Sequence, residues 1–368
     1  MTKPLLLSVF PTFATGGAQS RFTTLANHLD SGWRHAIVAM DGITTARERL
    51  NPTLDITFPA IDLRKGDVVG NVRRCRAAIR ALRPTTMLTH NFGSMEWAMA
   101  NWPSLVRHVH VEDGFGPEER NTQIARRVWL RRLFLRRDPV ILPSRTLMSI
   151  ALQVWRLDQG KVHYVPNGIN LSRFPRPSPF KSCPGGGLIV GTVAALRPEK
   201  NLARLIRAFR LVTLQCPATL VVVGDGPQRS ELEALTVSLG LAGRVHFAGH
   251  VRDPDELIQG FDIFALSSDT EQMPISLLEA MAAGLPTAAT DVGDIASMLP
   301  VENRPFITPC DDRALGAALL KLARDSGLRA ELGRASRQRA ELHFDEAQMF
   351  DRWSAILAGA PHSGEQVT

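Results

Sequence analysis

The stretch LSRFPRPSPFKSCPGGG, residues 171–187, decides how the chain is divided. Its prolines and three closing glycines exclude both a helix and a central strand. On its amino-terminal side, apolar runs at 5–10, 35–40, 85–89, 106–111, 140–142 and 162–165 are separated by segments long enough for crossover helices. Phe22, Leu25, Ala26 and Leu29 follow the first run at helical spacing. On its carboxyl-terminal side the alternation restarts. Strands at 188–193, 219–223, 244–247, 263–266, 286–289 and 306–308 interleave with helical segments at 202–214, 228–239, 255–259, 275–283, 313–325 and 328–342. Each half therefore predicts a doubly wound parallel α/β sheet, with ligands outside the carboxyl ends of the strands. The expected organisation is a Rossmann-like domain over 1–170, a linker over 171–187, a second Rossmann-like domain over 188–344, and a last helix with a tail over 345–368. Two such domains in tandem imply a ligand cleft between them.

With 368 residues, 44% hydrophobic and 21% charged, the chain can build two cores, and collagen, coiled coil and wholesale disorder are excluded. A net charge of +7 attracts anionic partners such as nucleotides, phosphorylated sugars or acidic lipid, without choosing among them. The first apolar run is too short for a secretory segment or a membrane span, so a cytoplasmic location is expected. Cys75, Cys183, Cys216 and Cys310 lie far apart with no CxxC pair, which predicts neither a disulfide framework nor a structural metal. Asp253-Pro254-Asp255 reads as a helix cap rather than a metal-binding DxD, and no metal or cofactor is expected.

The most informative chemistry lies in SSDTEQMPISLLEAMAAGLP, residues 267–286. Glu271 falls in a loop and Glu279 eight positions on, about two helical turns into the next segment, where both can reach one polar ligand. Met273 and Pro274-Ile275-Ser276 begin that helix, whose free backbone donors suit a pyrophosphate. Taken singly, each Glu reads first as an exposed charge or, for Glu279, a cap or a pair with a neighbour. Gly224-x-Gly226 after an apolar run suggests a dinucleotide loop, but Arg229 holds the third glycine position and no acid follows at the required distance, so no NAD site is expected.

The words SSDTE and EAMAAGLP resemble the E-x7-E region of the retaining GT-B glycosyltransferases usually called family 4. The resemblance implies a GT-B fold and retaining, metal-independent transfer of a hexosyl unit from a nucleotide diphosphate sugar, a UDP-sugar favoured, to a glycan or lipid-linked hydroxyl. It implies that Glu271 faces the donor sugar, that Glu279 holds the ribose, and that amides near Ile275 and Ser276 hold the diphosphate. Gln272 departs from the glycine common after the first Glu. Phe13-Ala14-Thr15-Gly16-Gly17-Ala18-Gln19 is similar to the family's first loop, which implies that Gly16 and Gly17 let backbone approach the donor; alone, the pair is an ordinary turn. Val165-Pro166-Asn167-Gly168-Ile169-Asn170 resembles the family's VPNGID marker near the domain boundary, and Gly226 lies in a loop that in the family sits beside the nucleotide.

Gly191 to Asn201, GTVAALRPEKN, resembles GxxARLxPEKN, in which an Arg and the Lys neutralise the departing diphosphate. Lys200 matches, but Ala195 stands at the Arg position, and Arg197 is the candidate to replace it. Val106 to Gly114, VRHVHVEDG, resembles a strand ending H-x-E-H-G, which implies that Asp113, at the place of the second His, faces the sugar as a catalytic residue with Glu112 beside it on the acceptor side. His90 and Asn91 are further acceptor-side candidates; His110 reads as a packed strand residue. The stretch RRVWLRRLFLRR, residues 126–137, interleaves arginines with apolar residues. A surface helix is favoured there over peripheral contact with an anionic membrane, and nucleic acid is not expected. Two rival readings share the architecture: a sugar-nucleotide 2-epimerase, and a nucleotide-sugar-binding protein silenced by Ala195.

Overall fold

The computed structural model describes residues 3–29, 32–115, 117–119, 122–175 and 187–359. Residues 176–186, most of the expected linker, and the tail from 360 lie outside the described residues. The chain forms two compact units, one up to Pro166 together with the residues from Phe350 on, the other Asn167–Met349.

The first unit contains, in order, β1 (Leu5–Phe10), α1 (Gly17–Leu29), β2 (Arg34–Ala39), β3 (Ile56–Thr57), α2 (Val68–Leu82), β4 (Thr86–His90), α3 (Met95–Ala100), β5 (Arg107–Val111), α4 (Ala125–Phe134), β6 (Val140–Leu142), α5 (Arg145–Gln153) and β7 (Val162–Tyr164). The strands pair in parallel in the order β3-β2-β1-β4-β5-β6-β7. All six residues of β1, LLLSVF, are buried, as an apolar strand covered by helices on both faces must be. The order reverses between β1 and β4, so the loops after β1, β4 and β5 gather at one switch point.

The second unit repeats the plan with β8 (Leu188–Val193), α6 (Leu202–Thr213), β9 (Ala218–Val223), α7 (Arg229–Ser238), β10 (Val245–Gly249), α8 (Asp255–Gln259), β11 (Ile263–Leu266), α9 (Ile275–Ala282), β12 (Thr287–Thr290), α10 (Ile295–Met298), β13 (Ile307–Thr308), α11 (Asp312–Arg324) and α12 (Ser326–His343). Its parallel order is β10-β9-β8-β11-β12-β13, with the switch between β8 and β11. Helix α6 buries Leu202, Leu205, Ile206, Phe209 and Val212 on one stripe. Gly316 lets α11 lie against it, since a Cβ there would meet the Leu211 side chain at 2.5 Å and the Ala208 carbonyl at 3.0 Å. The division between the units falls inside α13 (Glu346–Ala358). From Phe350 on, this helix belongs to the first unit, where Phe350 stacks on His28 at 4.0 Å and Trp353 is buried.

One buried strand residue is expected to make this fold acid-sensitive. His35 on β2 is 1% exposed, and neither ring nitrogen has a partner among the described residues. Burial, opposed by Asp55, pushes its pKa down from 6.5 to about 4. The unfolded chain therefore takes up the proton first: stability is full above about pH 6.5 and falls by about 3 kcal/mol as the pH drops through 4. We expect His35→Leu to lose less stability than wild type by about that amount when urea unfolding is compared at pH 7.5 and pH 4. Equal losses in both proteins would contradict this account.

Candidate functional site

In the second unit, side chains from the loops after β8 and β11 meet at the switch point. A short 3-10 turn, Pro198–Lys200, follows β8. Lys200 Nζ lies 2.6 Å from Glu271 Oε1, and the Ser268 hydroxyl donates to the same oxygen at 2.7 Å. The loops are also pinned through backbone: Ser267 Oγ donates to the Lys200 carbonyl at 3.0 Å, and the Asp269 N–H donates to that of Glu199 at 2.9 Å. Buried Arg204 pairs with Asp269 at 2.7 Å and donates to the Ser267 carbonyl. Gly293 admits close approach from the far side, since a Cβ there would fall 2.1 Å from the Glu271 carbonyl. The Glu271 side chain, 8% exposed, is thus held against a cation rather than solvated freely.

Helix α9 begins directly after this loop. Pro274 is its N-cap and makes no side-chain cap hydrogen bond, so the amides of Ile275 and Ser276 have no partner within the helix. Met273 is fixed by Asn167, whose side-chain amide donates to the Met273 carbonyl at 2.9 Å and whose backbone N–H reaches its sulfur at 3.2 Å. The VPNG segment is therefore a brace for the start of α9. Glu279 lies buried on the same helix.

The glycine loop after β9 packs on the GTVAALRPEKN segment. Gly224 and Gly226 have φ of 138° and 159°, and added Cβ atoms would fall 2.0 Å from the Ala194 carbonyl and 2.6 Å from that of Leu196. Glycine here permits backbone contact between two loops, sealed by Leu196 N–H to the Asp225 carbonyl at 3.0 Å. Buried Leu196 separates half-buried Ala195 from exposed Arg197. Among the described residues Arg197 forms no ion pair, so Lys200 and Glu271 come together and Arg197 does not join them. Asp255 corrects the capping expectation. Pro254 occupies the N-cap of α8, and the Asp255 carboxylate takes two hydrogen bonds from Arg173, Nε at 2.6 Å and Nη2 at 2.5 Å.

In the first unit, Gly16 and Gly17 lead into α1, and a Cβ on Gly16 would meet the Gln19 side-chain oxygen at 2.8 Å. Asp113 follows β5 and pairs with Arg21 of α1, Oδ1 to Nη2 2.5 Å; its N–H donates to Asn91 Oδ1 at 2.7 Å. Two of the acceptor-side candidates lie in the interior of the unit. His90 stacks on Phe10 at 3.8 Å with Phe22 edge-on, inside an aromatic core, and burial holds its pKa well below the ordinary range. Glu112 is fully buried and spent on Arg131, Nε to Oε2 3.0 Å. Burial pushes Glu112 up, but Arg131 and His110 together hold its carboxyl below the ordinary range.

Period-two alternation puts His108, His110 and Glu112 on one face of β5. Thr89 Oγ1 bridges the two imidazoles at 2.7 and 2.8 Å, and Asp138 takes His108 Nδ1 at 2.7 Å. The arginine-rich stretch changes meaning accordingly. Arg131 is fully buried among Phe92, Phe115 and Trp155, with Glu112 and Glu119 on its nitrogens, and Arg127 pairs with Glu118 and Glu119. Sequence reasoning missed Arg21, Arg131, Ser268 and the bracing role of Asn167. Only Ser268, inside SSDTE, had a local signal.

Two doubly wound parallel sheets, one carrying a lysine–carboxylate pair below an uncapped helix start, define a GT-B architecture. Residues 15–173 match the Glycosyltransferase Family 4 profile and residues 178–339 the Glycosyl transferases group 1 profile. A lipopolysaccharide core biosynthesis glycosyltransferase of Rhizobium meliloti, LpsD, is 30% identical over 46% of this chain and 49% of its own length. The mannosylfructose-phosphate synthase of Agrobacterium fabrum is 24% identical over 60% of this chain and 53% of its own. The chain thus spans about half the length of these curated relatives. The solved structure of Anabaena HepE in complex with UDP shares the fold, with a TM-score of 0.80 at 19% identity over 97% of this chain and 100% of that one.

Removing one partner of the buried Arg131–Glu112 contact strands the other charge in a dry interior, at a cost of about 3 to 5 kcal/mol. We expect Arg131→Met to lower the unfolding free energy by that amount, read from denaturant midpoints. A change below about 1 kcal/mol would contradict the buried pairing.

Proposed function

We propose that this protein is a retaining, metal-independent glycosyltransferase that moves a hexosyl unit from a nucleotide diphosphate sugar, a UDP-sugar favoured, to a hydroxyl of a glycan or lipid-linked acceptor. The observation that carries this reading is the Lys200–Glu271 pair at 2.6 Å directly before the open amides of α9. When the bond from the anomeric carbon to the diphosphate oxygen breaks, negative charge grows on the diphosphate. A fixed ammonium and two free N–H groups stabilise it without reorganising. Glu271 and Glu279 are assigned to the sugar and ribose hydroxyls, Asp113 to the acceptor side, and Gly226 to the loop beside the nucleotide. Both profile matches and the UDP complex of HepE support a nucleotide-sugar donor. The lipopolysaccharide relative supports an envelope glycan as the product class.

The proposed compartment is the cytoplasm, with peripheral contact at the inner membrane face as a second reading behind a plain surface helix. Arg126, Arg136 and Arg137 remain exposed, and Trp129 is 59% exposed on α4. Among the described residues no helix is long and apolar enough to cross a membrane.

A thermal-shift panel of UDP, GDP, ADP and their sugars tests the donor. A ligand at 100 times its Kd stabilises the native state by about 2.7 kcal/mol, so we expect UDP compounds to raise the Tm by several degrees and Lys200→Ala to abolish most of the rise. Indifference to every nucleotide, or epimerisation of the donor without an acceptor, would contradict the proposal.

Ala195 leaves the departing diphosphate one guanidinium short of the resembling pattern, and one preorganised donor is worth about 3 to 4 kcal/mol in the transition state. Ala195→Arg is expected to raise turnover of the donor tenfold or more, while Arg197→Ala lowers it if Arg197 swings in as the substitute. Wild-type turnover in both variants would show that neither position meets the diphosphate.

A further inference from the structure

We infer that Arg21 is the positioning residue for Asp113, clamping its carboxylate so that a single oxygen, Oδ2, is presented to a substrate hydroxyl. The inference deepens the acceptor-side role proposed for Asp113 and rests on it. Asp113 is held at two points by two elements. Its N–H donates to Asn91 Oδ1 at 2.7 Å, and its Oδ1 lies 2.5 Å from Arg21 Nη2, an ion pair rather than an aligned hydrogen bond. Oδ2 is buried and has no partner among the described residues.

The holding residues are themselves overdetermined. Asn91 has φ of 56°, a left-handed conformation costly for a residue with a side chain, and it is locked by its own N–H to the Val111 carbonyl at 2.7 Å and by the Ser94 hydroxyl on its carbonyl at 2.9 Å. Arg21 is the fifth residue of α1, and its side chain is only 5% exposed. Trp353 lies over its guanidinium at 5.8 Å. A buried cation needs a compensating anion, and Asp113 supplies it.

The pairing also sets the local charge at Asp113, which stands at the place of the second histidine of the resembling pattern, where some family members carry aspartate. A neutral imidazole brings no charge to a sugar pocket, whereas a carboxylate brings one. The guanidinium of Arg21 cancels it locally, so the site gains an acceptor of hydrogen bonds without a net anion. Asp113 would be the group touching substrate; Arg21 acts through it.

The test uses the full chain and UDP-glucose, or the panel sugar that most raises the Tm, with UDP release as the readout. Arg21→Met and Asp113→Asn are each expected to lower kcat at least tenfold while the KM and the UDP-induced rise in Tm stay within twofold of wild type. The double variant should be no slower than Asp113→Asn alone, because both substitutions remove the same presented oxygen. Arg21→Lys shortens the reach and should lose part of kcat, and adding Asp113→Glu, which lengthens the carboxylate, should recover it. A merely structural tie would not produce that recovery. Wild-type kcat in Arg21→Met, losses that multiply in the double variant, or no recovery in Arg21→Lys with Asp113→Glu would overturn the inference. Wild-type kcat in Asp113→Asn would instead overturn the acceptor-side role of Asp113 itself. Should Arg21→Met fail to fold, the Lys and Glu pair decides the question alone.

Discussion

A lysine ammonium held 2.6 Å from a carboxylate, at the point where a parallel sheet reverses its strand order, is the contact on which the second unit is organised. Neither partner can be placed by its own segment alone. Lys200 follows β8 and Glu271 follows β11, strands 70 residues apart in the chain and adjacent in the sheet. The surrounding polar contacts serve the same end. Ser268 fixes one carboxylate oxygen, Thr290 Oγ1 holds the Ser268 carbonyl at 2.6 Å, and Gly293 makes room for the loop to pass. Preorganisation of this kind is what allows charge to develop on a leaving group without solvent rearrangement.

The first unit uses buried charge differently. Arg131 and Glu112, with Glu119 completing the fork and His110 also against Glu112, lie in a buried aromatic pocket where the desolvation of each ion is offset by these partners. They stiffen the strand end from which Asp113 projects. Arg21 and Asp113 form a second pair, set at the loop ends where chemistry is expected. One pair stabilises the scaffold; the other carries a proposed function.

Legibility in the sequence followed the range of the interaction. Apolar runs and turn residues are local signals, and the alternation they predicted is the one observed, from LLLSVF at β1 to the strand at Ile307–Thr308. The two-residue β3 was too short to carry a pattern. E-x7-E and PEK were legible because neighbouring residues build one helix start and one turn. Long-range pairings were not. Asp255 reads as a cap from its neighbours, and nothing within ten residues discloses that Arg173 will claim it. Glu112 looks like a loop-end acid until α4 delivers Arg131 into the core, and the same event removes arginines from what reads as a basic surface. His90 ends a strand as an acceptor-lining residue should, yet Phe10 and Phe22 close over it.

The most direct measurement is a crystal structure of the protein with UDP-glucose bound. The account predicts Lys200 Nζ and the amides of Ile275 and Ser276 within hydrogen-bond distance of the diphosphate oxygens, with Glu271 on a sugar hydroxyl and Glu279 on the ribose. A nucleotide bound away from α9, with the Lys200–Glu271 pair untouched, would contradict it.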